Sequence, residues 1–212
     1  MPAMTFAPDL VRTDRGTFGL PRGLSGRLAG RLMAANHEQQ QELAQLVELP
    51  EQGSLCEVGY GPGVLLHLLR TRFPHATLCG ADPSALMLRH ALRTTAADPG
   101  DRVTDLRTGA VADLPFDDET FNATVSINTV QFWPDLRTGL REIRRVTRPG
   151  GQVLIAWHGG TEPRRFQRRL ILNESELTHI ASTIEEHLGE VHRTRLAQSE
   201  LFTAALSAEP AA

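Results

Sequence analysis

The pattern of hydrophobic and polar positions changes near residue 50. Before that point, apolar residues recur every three or four positions between Leu24 and Leu49, which predicts a helical segment broken once in the polar stretch 36–41. Beyond it, short apolar runs typical of strands alternate with longer runs of helical spacing. The predicted strands are residues 54–59, 77–82, 103–108, 121–127, 152–157, 191–196 and 201–206, and the predicted helices are residues 64–72, 84–97, 136–146 and 175–188.

This alternation predicts an α/β fold in which helices cover both faces of a mostly parallel sheet. Only residues 197–200 join the last two predicted strands. Because a parallel return needs a long crossover, these two strands are expected to form an antiparallel pair. We expect a flexible arm and a helical N-terminal lid over residues 1–50, and a core domain over residues 51–212.

Composition narrows the class of protein. The 212 residues carry a net charge of −3, which argues against bulk binding to nucleic acid or to an acidic membrane surface. No apolar run approaches the roughly 20 residues of a membrane-spanning helix, and the N-terminus lacks a secretory signal. Cys56 and Cys79 lie in apolar runs and are expected to be buried free thiols. We therefore expect a cytoplasmic protein, and the histidine and cysteine spacings predict no metal site.

A glycine-rich loop follows the first predicted strand. In the run 57–63, EVGYGPG, glycines occupy alternate positions, and Glu57 lies two positions before the first of them. Glycine permits a sharp turn and lets a ligand approach main-chain N–H groups. The G-x-G-x-x-G fingerprint of dinucleotide-binding proteins is absent, because Val64 and Leu66 stand where it needs glycine. This spacing argues against a nicotinamide-dependent oxidoreductase.

A carboxylate, Asp82, ends the second predicted strand, 19 residues after Gly63. Ligands of open α/β sheets lie outside the carboxyl ends of the strands, where a carboxylate can accept hydrogen bonds from both hydroxyls of a ribose. The alternative is that Asp82 caps the helix that begins near Ser84, and that the glycines serve only the turn from strand to helix.

Four stretches together resemble one family. Residues 57–63, Asp82, residues 114–121 (LPFDDETF) and residues 145–151 (RVTRPGG) resemble class I S-adenosylmethionine-dependent methyltransferases, and in particular the small bacterial group called methyltransferase type 11. The resemblance implies a three-layer, Rossmann-like fold with a seven-stranded, mostly parallel sheet whose last strand is antiparallel. It also implies S-adenosyl-L-methionine as cofactor and S-adenosyl-L-homocysteine as product.

The resemblance also assigns roles to individual residues. The loop glycines would line the methionine and ribose portions of the cofactor, Glu57 would face its amino-acid end, and Asp82 would bind the ribose hydroxyls. Tyr60 would close over the cofactor, and Asn128 would face its methionine portion. The residues expected beside the adenine are Pro83, Met87, Ala110 and Val111. The glycines meant are Gly59, Gly61 and Gly63.

Two positions depart from the family pattern. The family usually has an acidic residue where this chain has Ala110, and an aspartate where it has Asn122. Loss of the first removes one side-chain hydrogen bond to the adenine, which predicts weaker recognition of that ring. The two departures also leave open a catalytically degenerate protein that binds S-adenosylmethionine and has a regulatory or structural role.

Methyl transfer from a sulfonium is an in-line displacement that requires no nucleophilic triad, and none is visible. A base is needed only where the acceptor must lose a proton. His158, directly after the fifth predicted strand, is the candidate, because an unperturbed imidazole titrates near pH 6.5; the alternative is that it braces the Gly159–Gly160 turn. His37 could reach the same space if the lid folds over the site.

The acceptor side is less defined. Phe132, Trp133 and Trp157 either wall an apolar acceptor pocket or pack in the core. The arginines around Phe166 form either a solvated helix face or a clamp for an acidic acceptor; they are Arg164, Arg165, Arg168 and Arg169. Because the last hairpin leaves no room for an inserted substrate domain, residues 1–50 are the expected cover of the site. We expect a small-molecule acceptor, with no nucleic-acid or membrane partner, and leave a homodimer open.

Overall fold

A computed structural model describes residues 37–96, 104–163, 168 and 171–207 of the chain. Its strands are β1 (Ser54–Val58), β2 (Thr77–Asp82), β3 (Asp105–Thr108), β4 (Phe121–Ile127), β5 (Thr147–His158), β6 (Val191–Arg195) and β7 (Ser199–Ala205). Its α-helices are α1 (His37–Leu46), α2 (Val64–Arg72), α3 (Ala85–Thr94), α4 (Leu136–Val146) and α5 (Glu174–Leu188), and a 3-10 helix spans Val130–Phe132. The predicted arm, the lid up to residue 36, and Arg164, Arg165 and Arg169 lie outside the described residues.

The seven strands form one sheet in the order β3-β2-β1-β4-β5-β7-β6. Strands β1 to β5 pair in parallel, and β7 is antiparallel to both β5 and β6. The predicted fold class and the closing antiparallel hairpin are thereby confirmed. The strand order reverses between β1 and β4, so the crevice typical of ligand binding in such sheets lies at the carboxyl ends of these two strands.

Helices cover both faces of the sheet and enclose two cores. Leu55 of β1 faces α1, α2 and α3, whereas the next residue, Cys56, faces α4 and α5, as the alternation of side chains along a strand requires. Cys56 and Cys79 are both buried free thiols, which confirms that prediction. In the described part of the chain, no helix combines the length and apolarity needed to cross a membrane.

Local sequence explains where the helices begin. Ser84 is the N-cap of α3, and Asp135 begins α4 by accepting a hydrogen bond from the Thr138 N–H at 2.7 Å. Asn173 and Glu176 form a reciprocal capping box at the start of α5. Each cap satisfies backbone N–H groups that a helix leaves unpaired in its first turn.

The predicted helix break in the stretch 36–41 is wrong where the structure describes it, because α1 is already helical at His37. Polar residues there do not interrupt the helix, since the buried amide of Gln39 finds hydrogen-bond partners in the sheet. Leu43 and Ala44 are also buried, and α1 packs against α2. The described part of the predicted lid is therefore an integral helix of one layer.

Strand β5 begins five residues earlier than predicted because it contains a bulge. Phe121 pairs with Thr147 and Ala123 with Gln152, so residues 148–151 bulge out of register. Gly150 adopts a left-handed conformation with φ 75°, and its N–H donates to the Leu206 carbonyl at 3.0 Å. A bulge of this kind depends on long-range pairing and leaves no periodic signal in the sequence.

Arg145 joins two of the motifs that carried the resemblance. Its guanidinium donates to the carbonyl groups of Leu114 and Phe116 at 2.9 and 2.8 Å, and to the carboxylates of Asp118 and Glu142. These bonds hold the loop before β4 against the end of α4. The charged residues of both motifs therefore support the fold.

Candidate functional site

The three glycines of the loop after β1 all have positive φ angles, of 77°, 52° and 80° for Gly59, Gly61 and Gly63. Residues with a Cβ rarely adopt this conformation. A Cβ on Gly59 would also collide with the Thr129 side chain, and one on Gly63 would lie 2.9 Å from the Cβ of Ala91. The loop is therefore packed between the segment after β4 and helix α3, with its backbone held close to both.

Asp82 clamps this loop to the second strand. Its carboxylate accepts hydrogen bonds from the Gly61 N–H at 2.9 Å and from the Ser84 N–H at 2.8 Å, and its side chain is almost completely buried. Burial raises the pKa of this carboxyl group, while the two N–H donors oppose that rise. The helix-capping alternative is not how α3 begins, because Ser84 is the N-cap residue. Asp82 instead joins the glycine loop to the segment that leads into α3.

Glu57 lies beneath the same loop with one oxygen unsatisfied. Its side chain is buried, and Oε2 has no hydrogen-bond partner among the described residues. Burial raises the pKa of Glu57 well above its usual value, the neighbouring Asp82 carboxylate raises it further, and a hydrogen bond from the Leu66 backbone lowers it. Two close carboxyl groups, one with a free buried oxygen, suit a cationic ligand that can donate hydrogen bonds. An amino acid with a sulfonium group, such as the methionine portion of S-adenosylmethionine, fits these acceptor groups.

Tyr60 and Met87 point into the core from the site. The Tyr60 hydroxyl donates to the Arg107 carbonyl of β3 at 3.2 Å, and its ring lies against Gly80 of β2. Met87 is 1% exposed and belongs to the core on the same face, whereas Pro83 is exposed at the edge. Tyr60 thus supports the loop from below, across two strands.

The two departures from the family pattern lie at opposite ends of the sheet. Ala110 follows β3 at the carboxyl end, where it is exposed and its carbonyl accepts the Asp113 N–H at 3.0 Å, and the next residue, Val111, is buried. Asn122 lies at the start of β4, where Oδ1 accepts hydrogen bonds from the N–H and hydroxyl of Ser54. Asn122 therefore joins β4 to β1 far from the crevice, whereas Ala110 lies at the end of the sheet where the crevice is.

Asn128 follows β4 directly, and its side chain is paired with a residue that sequence reasoning missed. It has a positive φ of 55°, and its Nδ2 donates to Oε1 of Gln39 on α1 at 2.8 Å. Gln39 is completely buried and also donates from Nε2 to the Ser199 hydroxyl at 2.8 Å. The available signal was its spacing, because residues 39, 43 and 47 share one face of a helix and the other two, Leu43 and Val47, are apolar.

His158 ends β5 at the same edge and is 6% exposed. Its Nδ1 is buried without a partner among the described residues, and Ser199 lies opposite it on β7. Burial lowers the pKa of His158 to about 4. The assumption that this imidazole titrates near pH 6.5 is therefore wrong, since desolvation disfavours the charged ring. At neutral pH the ring is uncharged and able to accept a hydrogen bond.

The other acceptor-side residues divide between core and surface. Trp133 and Trp157 are each 4% exposed and lie in the core on the α4–α5 face, whereas Phe132 is half-buried at the carboxyl edge. Core packing thus accounts for both tryptophans. His37 is exposed at the first position of α1, and Arg168 is exposed in a turn. No cluster of three or more potential metal ligands occurs within the residues that the structure describes.

The chain is similar in sequence to known methyltransferases. The sequence profile of a family described as a methyltransferase domain matches residues 56–155. The chain is 30% identical to the uncharacterized methyltransferase YdaC of Bacillus subtilis over 129 residues, which cover 60% of this chain and 69% of YdaC. It is 32% identical over 111 residues to a demethylmenaquinone methyltransferase of Desulfitobacterium hafniense; the match covers 52% of this chain and 44% of that enzyme.

Solved structures share the fold. The structure of a geranyl diphosphate methyltransferase in complex with GPP and sinefungin superimposes with a TM-score of 0.60 at 16% identity, and the match covers 82% of this chain and 78% of that one. A similarity at this level of identity concerns the fold alone. The match to the family profile and the similarity to YdaC, in contrast, are similarities of sequence.

Proposed function

Because this chain belongs to the class I S-adenosylmethionine-dependent methyltransferases, we propose that it transfers the methyl group of S-adenosylmethionine to a small-molecule acceptor at the carboxyl ends of β1, β2, β4 and β5. The proposed position of the ligand rests on the buried Asp82 carboxylate, which accepts a hydrogen bond from the Gly61 N–H beside the point where the strand order reverses. A ligand at this crevice meets the side-chain-free backbone of the glycine loop and two carboxyl groups at once, whereas the N–H groups of the three glycines are bonded to Ala81, Asp82 and Tyr60.

Each residue of the crevice has a role that its chemistry supports. Asp82 has acceptor capacity left for the ribose hydroxyls, because a carboxylate accepts about four hydrogen bonds. The free Oε2 of Glu57 is available for the amino group of the methionine portion. Gly59, Gly61 and Gly63 bring the backbone close to the ligand. Along the adenine lie Pro83, Ala110 and Val111.

When bound, S-adenosylmethionine supplies a methyl group activated by its sulfonium, and a lone pair of the acceptor forms a bond to that carbon as the carbon–sulfur bond breaks and its electrons remain on sulfur. The protein's main contribution is to align acceptor and methyl group and to exclude water. Where the attacking atom carries a proton, we assign to His158 the hydrogen bond that accepts it, because its ring is uncharged at neutral pH; with a pKa of about 4 the ring is a weak base.

Support for a small, partly apolar acceptor comes from the names of related proteins and from the half-buried Phe132 at the edge. The demethylmenaquinone methyltransferase is named for an apolar quinone, and the geranyl diphosphate methyltransferase was solved with GPP. At the same edge the structure places the half-buried amide of Asn128 and the buried imidazole of His158. These groups suit an acceptor with one polar end.

The experiment is transfer of a labelled methyl group. The purified chain is incubated with methyl-labelled S-adenosylmethionine and separate panels of quinols and phenols, prenyl diphosphates, amines and carboxylic acids, and with protein and nucleic-acid fractions. We expect label in at least one small molecule and loss of that transfer in Gly61→Val, which places a bulky side chain in the ligand loop. Label found only in protein or nucleic acid would overturn the proposed acceptor class.

A further inference from the structure

Gln39 is a polar residue on the apolar face of α1. It lies one and two turns before Leu43 and Val47, and all three side chains are completely buried. An amide in such a place costs free energy unless its polar atoms are hydrogen-bonded, and an apolar residue would meet the packing requirement without that cost. The presence of an amide therefore calls for a role beyond packing.

The partners of Gln39 come from two distant parts of the sheet. Its Oε1 accepts from Asn128 Nδ2 at 2.8 Å, and its Nε2 donates to Ser199 Oγ at 2.8 Å, with a longer contact to Asn128 Oδ1 at 3.5 Å. One side chain thus connects α1 with the end of β4 and with the start of β7.

Asn128 is the partner that lies at the candidate site. It follows β4 at the point where the strand order reverses, and its backbone is fixed in the left-handed region by an N–H bond to the Ala156 carbonyl at 2.9 Å. A side-chain amide has two N–H groups, and Gln39 engages one of those on Asn128. The other N–H remains available to a ligand, in an orientation that Gln39 fixes.

The geometry points to Gln39 as a positioning residue that orients the Asn128 amide for the methyl donor and so makes α1 part of the binding site; this inference rests on the proposed function. Its action is through Asn128 and involves no direct contact with the ligand.

Several other hydrogen bonds also attach α1 to the core. Arg72 donates to the carbonyls of Ala44 and Val47 at the C-terminal end of the helix. In the middle of the helix Glu42 accepts the Ala197 N–H at 3.1 Å, and near the N-terminal end Glu38 accepts from the Gln198 amide at 2.8 Å. With these bonds in place, we expect α1 to stay docked when Gln39 is replaced, so that an effect on ligand binding can be separated from unfolding.

The first test replaces Gln39 by methionine, which keeps the length of the side chain and removes its hydrogen bonds. The dissociation constant of S-adenosylhomocysteine is measured by calorimetry on the full chain. We expect Gln39→Met to weaken binding about three- to tenfold, the usual effect of one lost hydrogen bond. Gln41→Met is the matched control, because Gln41 lies on the same helix and is exposed. Unchanged affinity in Gln39→Met would overturn the inference.

The second test separates positioning from general stabilisation. If Gln39 acts through Asn128, then Gln39→Met should weaken binding no further in an Asn128→Ala background. Additive losses in the double variant would contradict the positioning role, because independent effects add. Urea unfolding of each variant verifies that the comparison uses folded protein, and Gln39→Asn, whose shorter amide cannot span the same distance, serves if the methionine variant does not fold.

Asp82→Asn, measured alongside, distinguishes failure of this inference from failure of the proposed site. If Asp82→Asn and Gln39→Met both leave the affinity unchanged, the ligand binds elsewhere and the proposed function loses its location. If Asp82→Asn weakens binding and Gln39→Met does not, the site stands and only the role of Gln39 is refuted.

Discussion

Replacing Asp82 by asparagine perturbs the site at the group that serves both fold and ligand. In the parent protein the two carboxylate oxygens accept the N–H groups of Gly61 and Ser84 at 2.9 and 2.8 Å. Asparagine keeps one oxygen and presents an NH2 group where the second acceptor stood. One backbone N–H in a buried position therefore loses its partner, and the remaining bond loses the help of a negative charge.

The expected magnitudes follow from these two bonds. A buried donor left without a partner costs about 1–3 kcal/mol, so the free energy of unfolding should fall by that amount. A hydrogen bond from a ribose hydroxyl to a charged acceptor is worth about 1.5–3 kcal/mol, which corresponds to a roughly 10- to 150-fold weaker dissociation constant for S-adenosylhomocysteine. The loss of affinity should thus be large while the protein remains folded.

The assay combines urea unfolding with calorimetric titration of S-adenosylhomocysteine. Asp117→Asn is the control, because Asp117 is an exposed carboxylate on the loop before β4. Asp82→Ala should likewise weaken binding far more than His158→Ala. Binding by Asp82→Asn within twofold of the parent, or equal and small effects of Asp82→Ala and His158→Ala, would refute the assignment of the ribose site.

Three further predictions concern single residues. Ala110→Asp should restore a side-chain acceptor for the adenine amino group and tighten S-adenosylhomocysteine binding about three- to tenfold by calorimetry; no gain would place the adenine elsewhere. Glu57→Gln should weaken that binding yet stabilise the ligand-free protein. Because the pKa of Glu57 is raised in the folded state, the stability that the protonated carboxyl contributes is lost as the pH rises from 4.5 through the folded pKa. The greater stability of the variant in urea unfolding should therefore grow over that pH range. Because the pKa of His158 is lowered to about 4, the free energy of unfolding should fall by about 3 kcal/mol as the pH drops from 6.5 to 4. His158→Asn should flatten this pH dependence in urea unfolding, whereas the control His192→Asn, at an exposed position, should not.

The sequence predicted the parts of the site that depend on local order along parallel strands. The glycine loop and Asp82 each follow a strand directly, and neighbouring parallel strands bring their carboxyl ends to one edge. The hydrogen bond between Gly61 and Asp82 therefore follows from the parallel topology, which the alternation of strands and helices already indicated.

Features set by distant contacts could not be predicted in the same way. Gln39 meets Asn128 and Ser199 across 89 and 160 residues, and its spacing on α1 indicates burial without naming a partner. The low pKa of His158 arises from the surroundings that the folded chain builds around it. Asn122 was given functional weight because it departs from a motif, although it bonds Ser54 at the opposite end of the sheet.

The bond between Gln39 and Ser199 has a consequence for the order in which the chain is made. Helix α1 is translated before the seven described strands, yet one of its anchoring partners follows 160 residues later. At elongation rates of about 5–20 residues per second, the ribosome needs roughly 8–32 seconds to cover that distance. Throughout this interval the Gln39 amide lacks its partner on β7, whereas Leu43 and Val47 can already pack against α2, so the docking of α1 is completed only when the final hairpin forms.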